Sequence, residues 1–218
     1  MKPRHYDDAC ATAHALDLIG ERWSMLIMRE LMLGPRRFSD LRAAISGLSA
    51  NVLTQKLEAL EEARIVRREK LPPPAKTSAY ALTSWGLEAE PILLALGRWG
   101  VRSPGHDPAL PFSPVALILS FRAKFDPAAA KGLDVNLALT LDGEPFTVAV
   151  KAGRLTTGRG HPATPSARVE ASPSAIAALV YGKVPLATLE GQGALTVFGD
   201  HKGLVRFAAL YRLPPKAV

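Results

Sequence analysis

Apolar residues recur with a helical period through the first hundred positions and with a mixed period after them. At the centre of the first part, Leu53, Leu57 and Leu60 stand at i, i+4 and i+7, one face of a helix. Ser49 is placed to cap that helix by accepting from a first-turn N–H. Upstream, Phe38, Leu41 and Ile45 (i, i+3, i+7) predict a shorter helix ending at Ser46-Gly47-Leu48, a glycine turn of helix-turn-helix length. Downstream, Ile65 to Lys70 reads as a strand, Pro72 to Lys76 as a loop and Ser78 to Leu82 as the returning strand. Helix, turn, helix and basic hairpin, in that order, predict a winged helix.

Two further helices precede this core. Leu16, Ile19 and Trp23 mark one from about Asp8 to Ile19, and Leu26, Ile27, Glu30 and Leu31 mark another that Gly34-Pro35 stops. Thr83 can cap one long helix from about Ser84 to Trp99, with Pro91 kinking it or lying near an early turn. Its stripe of Ile92, Leu96 and Trp99 exceeds what a small winged helix can cover, so a second copy of the chain is its expected cover.

Residues 103–114, with four prolines in twelve, have the composition of a stiff linker, so the expected domains are 1–102 and 115–218. Val115 to Phe121 is an unbroken apolar run read as a buried helix. Val135, Leu137, Leu139 and Leu141 alternate, Asp142-Gly143 turns, and Phe146, Val148 and Val150 alternate back, the pattern of a hairpin. Further strands are expected at Leu155-Thr156-Thr157, Arg168 to Ala171 and Ala194 to Phe198. Helices are expected at Pro173 to Gly182, around Leu186 and Leu189, and from Leu204 to Tyr211. The sum is an α+β layer fold, an antiparallel sheet covered by helices.

The chemistry follows from the polar positions. Opposite the leucine stripe, Asn51, Thr54, Gln55 and Lys56, with Ser49 at the cap, have the reach and type that bond base edges in a major groove. Arg36 and Arg37 before the helix and Lys76 in the loop are expected to neutralise phosphates. Arg67, Arg68 and Lys70 add to the clustering at the hairpin. A solvated polar face is the bland alternative; the cations on both flanks argue against it.

These residues carry a resemblance. Cys10, Leu16 to Trp23, Gly34 to Leu41, Leu53 to Glu62 and Tyr80 to Gly86 are similar, in order and spacing, to the HxlR family of bacterial winged-helix transcription regulators. The resemblance implies a dimeric DNA-binding repressor or activator whose terminal helices form the dimer, hence an inverted-repeat operator. Two features depart from the family pattern: Ala79 stands where a glutamate usually precedes the tyrosine, and the wing is rich in proline. Some members use an N-terminal cysteine as a thiol sensor, which marks Cys10; a small packing residue near a dimer helix is the other reading.

The second half resembles the sterol carrier protein 2 family through Asp142-Gly143, Lys151 to Leu155, Leu179 to Lys183 and Gly191 to Asp200. That likeness implies an apolar tunnel for a small hydrophobic effector. The same side chains would serve a solid core or a second dimer interface.

Composition narrows the function classes. A net charge of +7 favours an anionic partner, but the charge is shared: 15 Lys and Arg against 12 Asp and Glu in residues 1–105, and 12 against 8 in 106–218. The argument for DNA therefore rests on clustering rather than on total charge. One cysteine excludes an internal disulfide framework, and no apolar run reaches signal-peptide or membrane-spanning form, so a cytoplasmic protein without membrane insertion is expected. Five scattered histidines lack metal-ligand spacing, Cys10 and His14 at i, i+4 are too few for zinc, and no phosphate loop or nucleophile elbow occurs. No cofactor and no catalysis are expected. The competing reading is a carrier of hydrophobic ligands whose winged helix serves protein contacts.

Overall fold

The computed structural model describes residues 6–71 and 77–218, in two compact units that divide between Leu93 and Leu94. The first unit contains α1 (Ala11–Ile19), α2 (Ser24–Leu31), α3 (Phe38–Ala44), α4 (Ala50–Glu62), β1 (Val66–Lys70), β2 (Ser78–Leu82) and α5 (Ser84–Leu87). The division falls within α6 (Glu90–Gly100).

The core of the first unit is the apolar side of three helices. Ile27 and Leu31 of α2, Leu41 of α3 and Leu53, Leu57 and Leu60 of α4 are all fully buried. β1 and β2 pair antiparallel from Val66↔Leu82 to Lys70↔Ser78. Arg36 adds a third, one-residue rung: its N–H donates to the Tyr80 carbonyl (2.9 Å) and its carbonyl accepts from the Tyr80 N–H (2.8 Å). Gly86 of α5 lies so close to the start of the hairpin that a Cβ there would stand 2.3 Å from the Ile65 carbonyl oxygen; only glycine fits.

The expected single helix over 84–99 is two. Thr83 caps α5, its hydroxyl accepting from the Gly86 N–H at 3.1 Å, and the chain then turns before Glu90 and Pro91 open α6. Proline has no N–H to donate and tolerates only the first turn of a helix, so it starts a new helix here instead of kinking an old one.

The second unit continues with α7 (Pro114–Lys124), β3 (Val135–Leu141), β4 (Glu144–Lys151), β5 (Arg154–Arg159), β6 (Ala167–Ala171), α8 (Pro173–Val180), α9 (Leu186–Gly191), β7 (Leu195–Gly199) and α10 (His201–Ala209). The β3–β4 hairpin turns on Asp142 (φ 48°) and Gly143 (φ 81°), the paired positive angles of a type I′ turn. The sheet order is β5-β4-β3-β6-β7. One pair corrects the antiparallel expectation: β3 and β6 run parallel, Leu137 opposite Ala167 through Leu141 opposite Ala171.

The parallel pair requires the chain to cross the sheet, and residues 160–166 do so over one face. The strap is pinned by Thr147 Oγ1 donating to the Gly160 carbonyl (2.8 Å), by Thr140 Oγ1 and His161 Nε2 at 3.2 Å, and by Asn136 Nδ2 donating to the Thr164 carbonyl (3.1 Å). It covers the face of Asn136, Ala138 and Thr140, and the other face carries the fully buried Leu137, Leu139, Phe146 and Val148.

Against the apolar layer, Phe121, Phe207 and Tyr211 stack with ring centres 5.2–5.3 Å apart. Lys183, just past α8, ties two helix ends together. Its ammonium donates to the carbonyls of Val180 (2.8 Å), Ala208 (3.0 Å) and Tyr211 (2.6 Å). Lys183→Met keeps the stem and removes the donor, leaving carbonyls at both helix ends without their cation. The expected cost is about 1–3 kcal/mol in the urea stability of this unit; a melt unchanged from the parent would show that water replaces the ammonium.

Candidate nucleic-acid interface

The geometry of α4 follows from its cap and its stripe. Ser49 Oγ accepts from the Val52 N–H at 3.3 Å, satisfying one orphan donor and fixing where the helix begins. With Leu53, Leu57 and Leu60 turned inward, the 3.6 period leaves Asn51, Thr54 and Gln55 exposed together on the outer side of the first turns. Gly47 (φ 78°) makes the preceding turn, and α3 ends at Ala44 before it.

Lys56 stands on the border of that face. It is half-buried, and its ammonium is ion-paired with Glu21. It joins the exposed amides only if Glu21 releases it.

Arg36 departs most from its expected role. It is 7% exposed, its backbone is occupied by the rung to Tyr80, and its guanidinium points to the buried Glu30, 3.8 Å away. Glu30, with no exposed surface, also pairs with Arg29 at 2.8 Å. The guanidinium that sequence assigned to phosphate is thus committed to a buried carboxylate. Arg37 is exposed at the start of α3, where its N–H donates to Asp40 Oδ2 (3.3 Å). Lys76 lies outside the described residues.

The hairpin presents its cations unevenly. Arg67 pairs with Glu69 (2.8 Å) and donates to the Leu82 carbonyl, and Arg68 pairs with Glu61 (3.0 Å) while lying over the Tyr80 ring. Lys70 is exposed without a carboxylate partner among the described residues. So is Arg42 on α3, which lay outside the expected set; nothing in the sequence separates it from an ordinary solvated position.

Two other expected sites can be placed. Cys10 is exposed at the N-cap of α1, close to the Thr12 and Ala13 N–H groups but without a cap hydrogen bond of ordinary geometry. Those N–H groups, Ala13 first, hold the thiol pKa below its ordinary value. On α6, Ile92, Leu96 and Trp99 are 50%, 48% and 74% exposed, so the stripe is not part of a core within the chain. No three potential metal ligands cluster among the described residues, and no helix there is long and apolar enough to cross a membrane.

Comparison with known proteins agrees with both halves. The profile of the HxlR-like helix-turn-helix family matches residues 18–107, and that of the SCP-2 sterol transfer family matches residues 119–212. The HTH-type transcriptional regulator sll1512 of Synechocystis is 37% identical over 91 residues, 42% of this chain and 67% of its own length. YvaP of Bacillus subtilis, named as a regulator of the same type, is 36% identical over 85 residues, 39% of this chain and 79% of its own. The structure of the reduced form of the B. subtilis transcriptional regulator YodB aligns at 30% identity and a TM-score of 0.40, covering 46% of this chain and all of that one. The chain belongs to the HxlR-like helix-turn-helix family of transcriptional regulators and carries an SCP-2 family domain in its second half.

Proposed function

We propose that this protein is a cytoplasmic, sequence-specific regulator that binds an inverted-repeat operator as a homodimer and answers to a small ligand held by its SCP-2 domain. The observation that carries the reading is the outer face of α4: three hydrogen-bonding side chains, Asn51, Thr54 and Gln55, exposed side by side on a helix whose back is fully buried. Ser49 is assigned to the cap, and Arg37, Arg42 and Lys70 are assigned to phosphates. Lys56 joins them once released from Glu21. Arg36 is left to the core.

The exposed pair Ile92 and Leu96 on α6 supports a two-fold partner, since water-exposed apolar side chains on one helix face are otherwise a liability. Such a dimer sets two α4 helices about 34 Å apart on one side of the duplex. The ligand acts only through unequal affinity for the dimer arrangements that fit and do not fit that spacing.

Fluorescence anisotropy on labelled duplexes tiling the DNA upstream of its own gene, with random competitor at two salt concentrations, tests the reading. One tile bound far above the others supports it. Equal, salt-labile binding to every tile means that charge alone is acting.

Cys10 supports a thiol-responsive arm, by its exposure and its lowered pKa. Alkylation by iodoacetamide, followed by mass spectrometry across pH, is expected to reach its plateau at lower pH than for free cysteine. A rate profile matching the free thiol would leave Cys10 a packing residue.

A further inference from the structure

In the second unit, the end of α6 and the turn after it, the end of α7 and the chain beyond α10 line a cleft of about 550 Å³ that is open to solvent. Four cations line it: Arg98, Arg102, Lys124 and Arg212. Among the described residues none of the four has a carboxylate within ion-pair distance. The hydrogen-bond and ring partners of three of them are neutral. Arg98 donates to the Ala123 carbonyl (3.2 Å), Arg102 Nε donates to the Pro215 carbonyl (3.3 Å), and the Lys124 ammonium lies 5.1 Å from the centre of the Tyr181 ring.

Four like charges without a counter-charge, one of them half-buried, repel one another in a setting where water screens them incompletely. The Lys124 pKa is accordingly lowered, first by burial and then by Arg98. Between the cations the wall is apolar, and two of its side chains, Trp99 and Leu213, are well exposed. A concave site of this size falls in the range of about 300–1,000 Å³ used for small ligands.

We propose that this cleft binds a small anionic amphiphile, its carboxylate or phosphate head held by Arg98, Arg102, Lys124 and Arg212 and its apolar body laid against Trp99 and Leu213. The concavity and the apolar wall distinguish it from a nucleic-acid track, which needs a row of outward cations and no place for an alkyl body. The site lies outside the apolar layer between sheet and helices, so it does not depend on a tunnel there. It gives a chemical class to the ligand of the proposed function and rests on that reading only for its regulatory meaning. Binding is therefore tested without operator DNA, and its failure leaves the operator experiment untouched.

The experiment is calorimetric titration of the full-length protein with decanoate, decyl phosphate, decanol and inorganic phosphate, below micellar concentrations and at two salt concentrations. The two amphiphilic anions are expected to bind one per chain and to weaken with salt, with decanol and phosphate at least about tenfold poorer. Whichever anion binds tighter distinguishes a carboxylate source from a phosphate one. The Arg102→Gln, Arg212→Gln protein should bind the anions roughly ten- to a hundredfold more weakly, while Arg102→Lys, Arg212→Lys retains most of the affinity. Thermal melts of both variants separate this loss from unfolding. Decanol binding as tightly as decanoate, the glutamine pair binding as tightly as the parent, or no amphiphile binding at all would each overturn the proposal. So would a random duplex bound through these arginines in place of any amphiphile.

Discussion

Asn51→Ala, Gln55→Ala protein is expected to fold normally and to lose its preference for one upstream tile over the rest. Both side chains are exposed and make no contact that holds α4, whose position is set by Leu53, Leu57 and Leu60, so stability should change by no more than about 0.5 kcal/mol. Each good base contact is worth about 1–3 kcal/mol of discrimination. The pair stands at i and i+4 and shares one stretch of groove, so the two losses need not add. A fall in specific affinity of about 2–4 kcal/mol per half-site, roughly thirtyfold to a thousandfold, is the expected range. Affinity for random duplex should hardly move, and the salt slope should stay, because no phosphate contact is lost. The contrasting variant is Arg37→Gln, which should weaken every tile alike and lower the salt slope by about one. A double variant that still selects the same tile would remove α4 from the base-reading role.

Glu30→Ala should damage the first unit more than any surface change. Its carboxylate has no exposed surface and stands between Arg29 at 2.8 Å and the buried Arg36 at 3.8 Å. Removing the acid breaks a buried ion pair on one side and takes the Glu30 carboxylate from two arginines, Arg29 and Arg36, a change that costs about 3–5 kcal/mol. Domains are typically stable by about 5–15 kcal/mol, so much of the margin is lost. Urea unfolding followed by Trp23 and Trp85, which lie in this unit, should show its transition moved to lower denaturant. The two units need not unfold together, so a single midpoint would misstate the result. Converting both partners, Glu30→Met with Arg36→Met, should recover most of the loss, because replacing a whole buried pair is far milder than breaking it. Should Glu30→Ala cost less than about 1 kcal/mol, water must reach Arg36 and the pair is not what anchors it.

Where local chemistry decides the structure, the sequence was readable. Ser49 as cap, the leucine stripe of α4, Gly47 in the turn and Asp142-Gly143 in the hairpin are each settled by neighbours within a few residues. Arg36 was not, because its partner Glu30 lies back on α2, beyond the turn at Gly34-Pro35, and its rung to Tyr80 joins positions 44 residues apart. An arginine beside a recognition helix has the same letters whether it faces phosphate or a buried acid. The β3–β6 pair was missed for a related reason: alternation shows that a strand has two faces and says nothing of the direction of its neighbour. The split between α5 and α6 was legible in part, since Pro91 marked the place but not whether the helix bends or stops there. The cleft of the second unit was invisible, because Arg98, Lys124 and Arg212 are scattered through the chain and no carboxylate absence can be read from a sequence.

The strap over the sheet also sets an order of assembly. β3, β4 and β5 are joined by short turns and can zip up through contacts local in the chain, beginning at Asp142-Gly143. β6 can dock beside β3 only after residues 160–166 have been carried across the finished hairpin, a closure of some thirty residues between Leu137 and Ala167. Among the described residues β7 pairs with β6 alone, so it waits on the same step. The unit is therefore expected to assemble from its middle outward, with the crossing rather than the collapse as its slow step in refolding kinetics. During that interval the open edge of β3 is the surface most at risk of pairing with another chain.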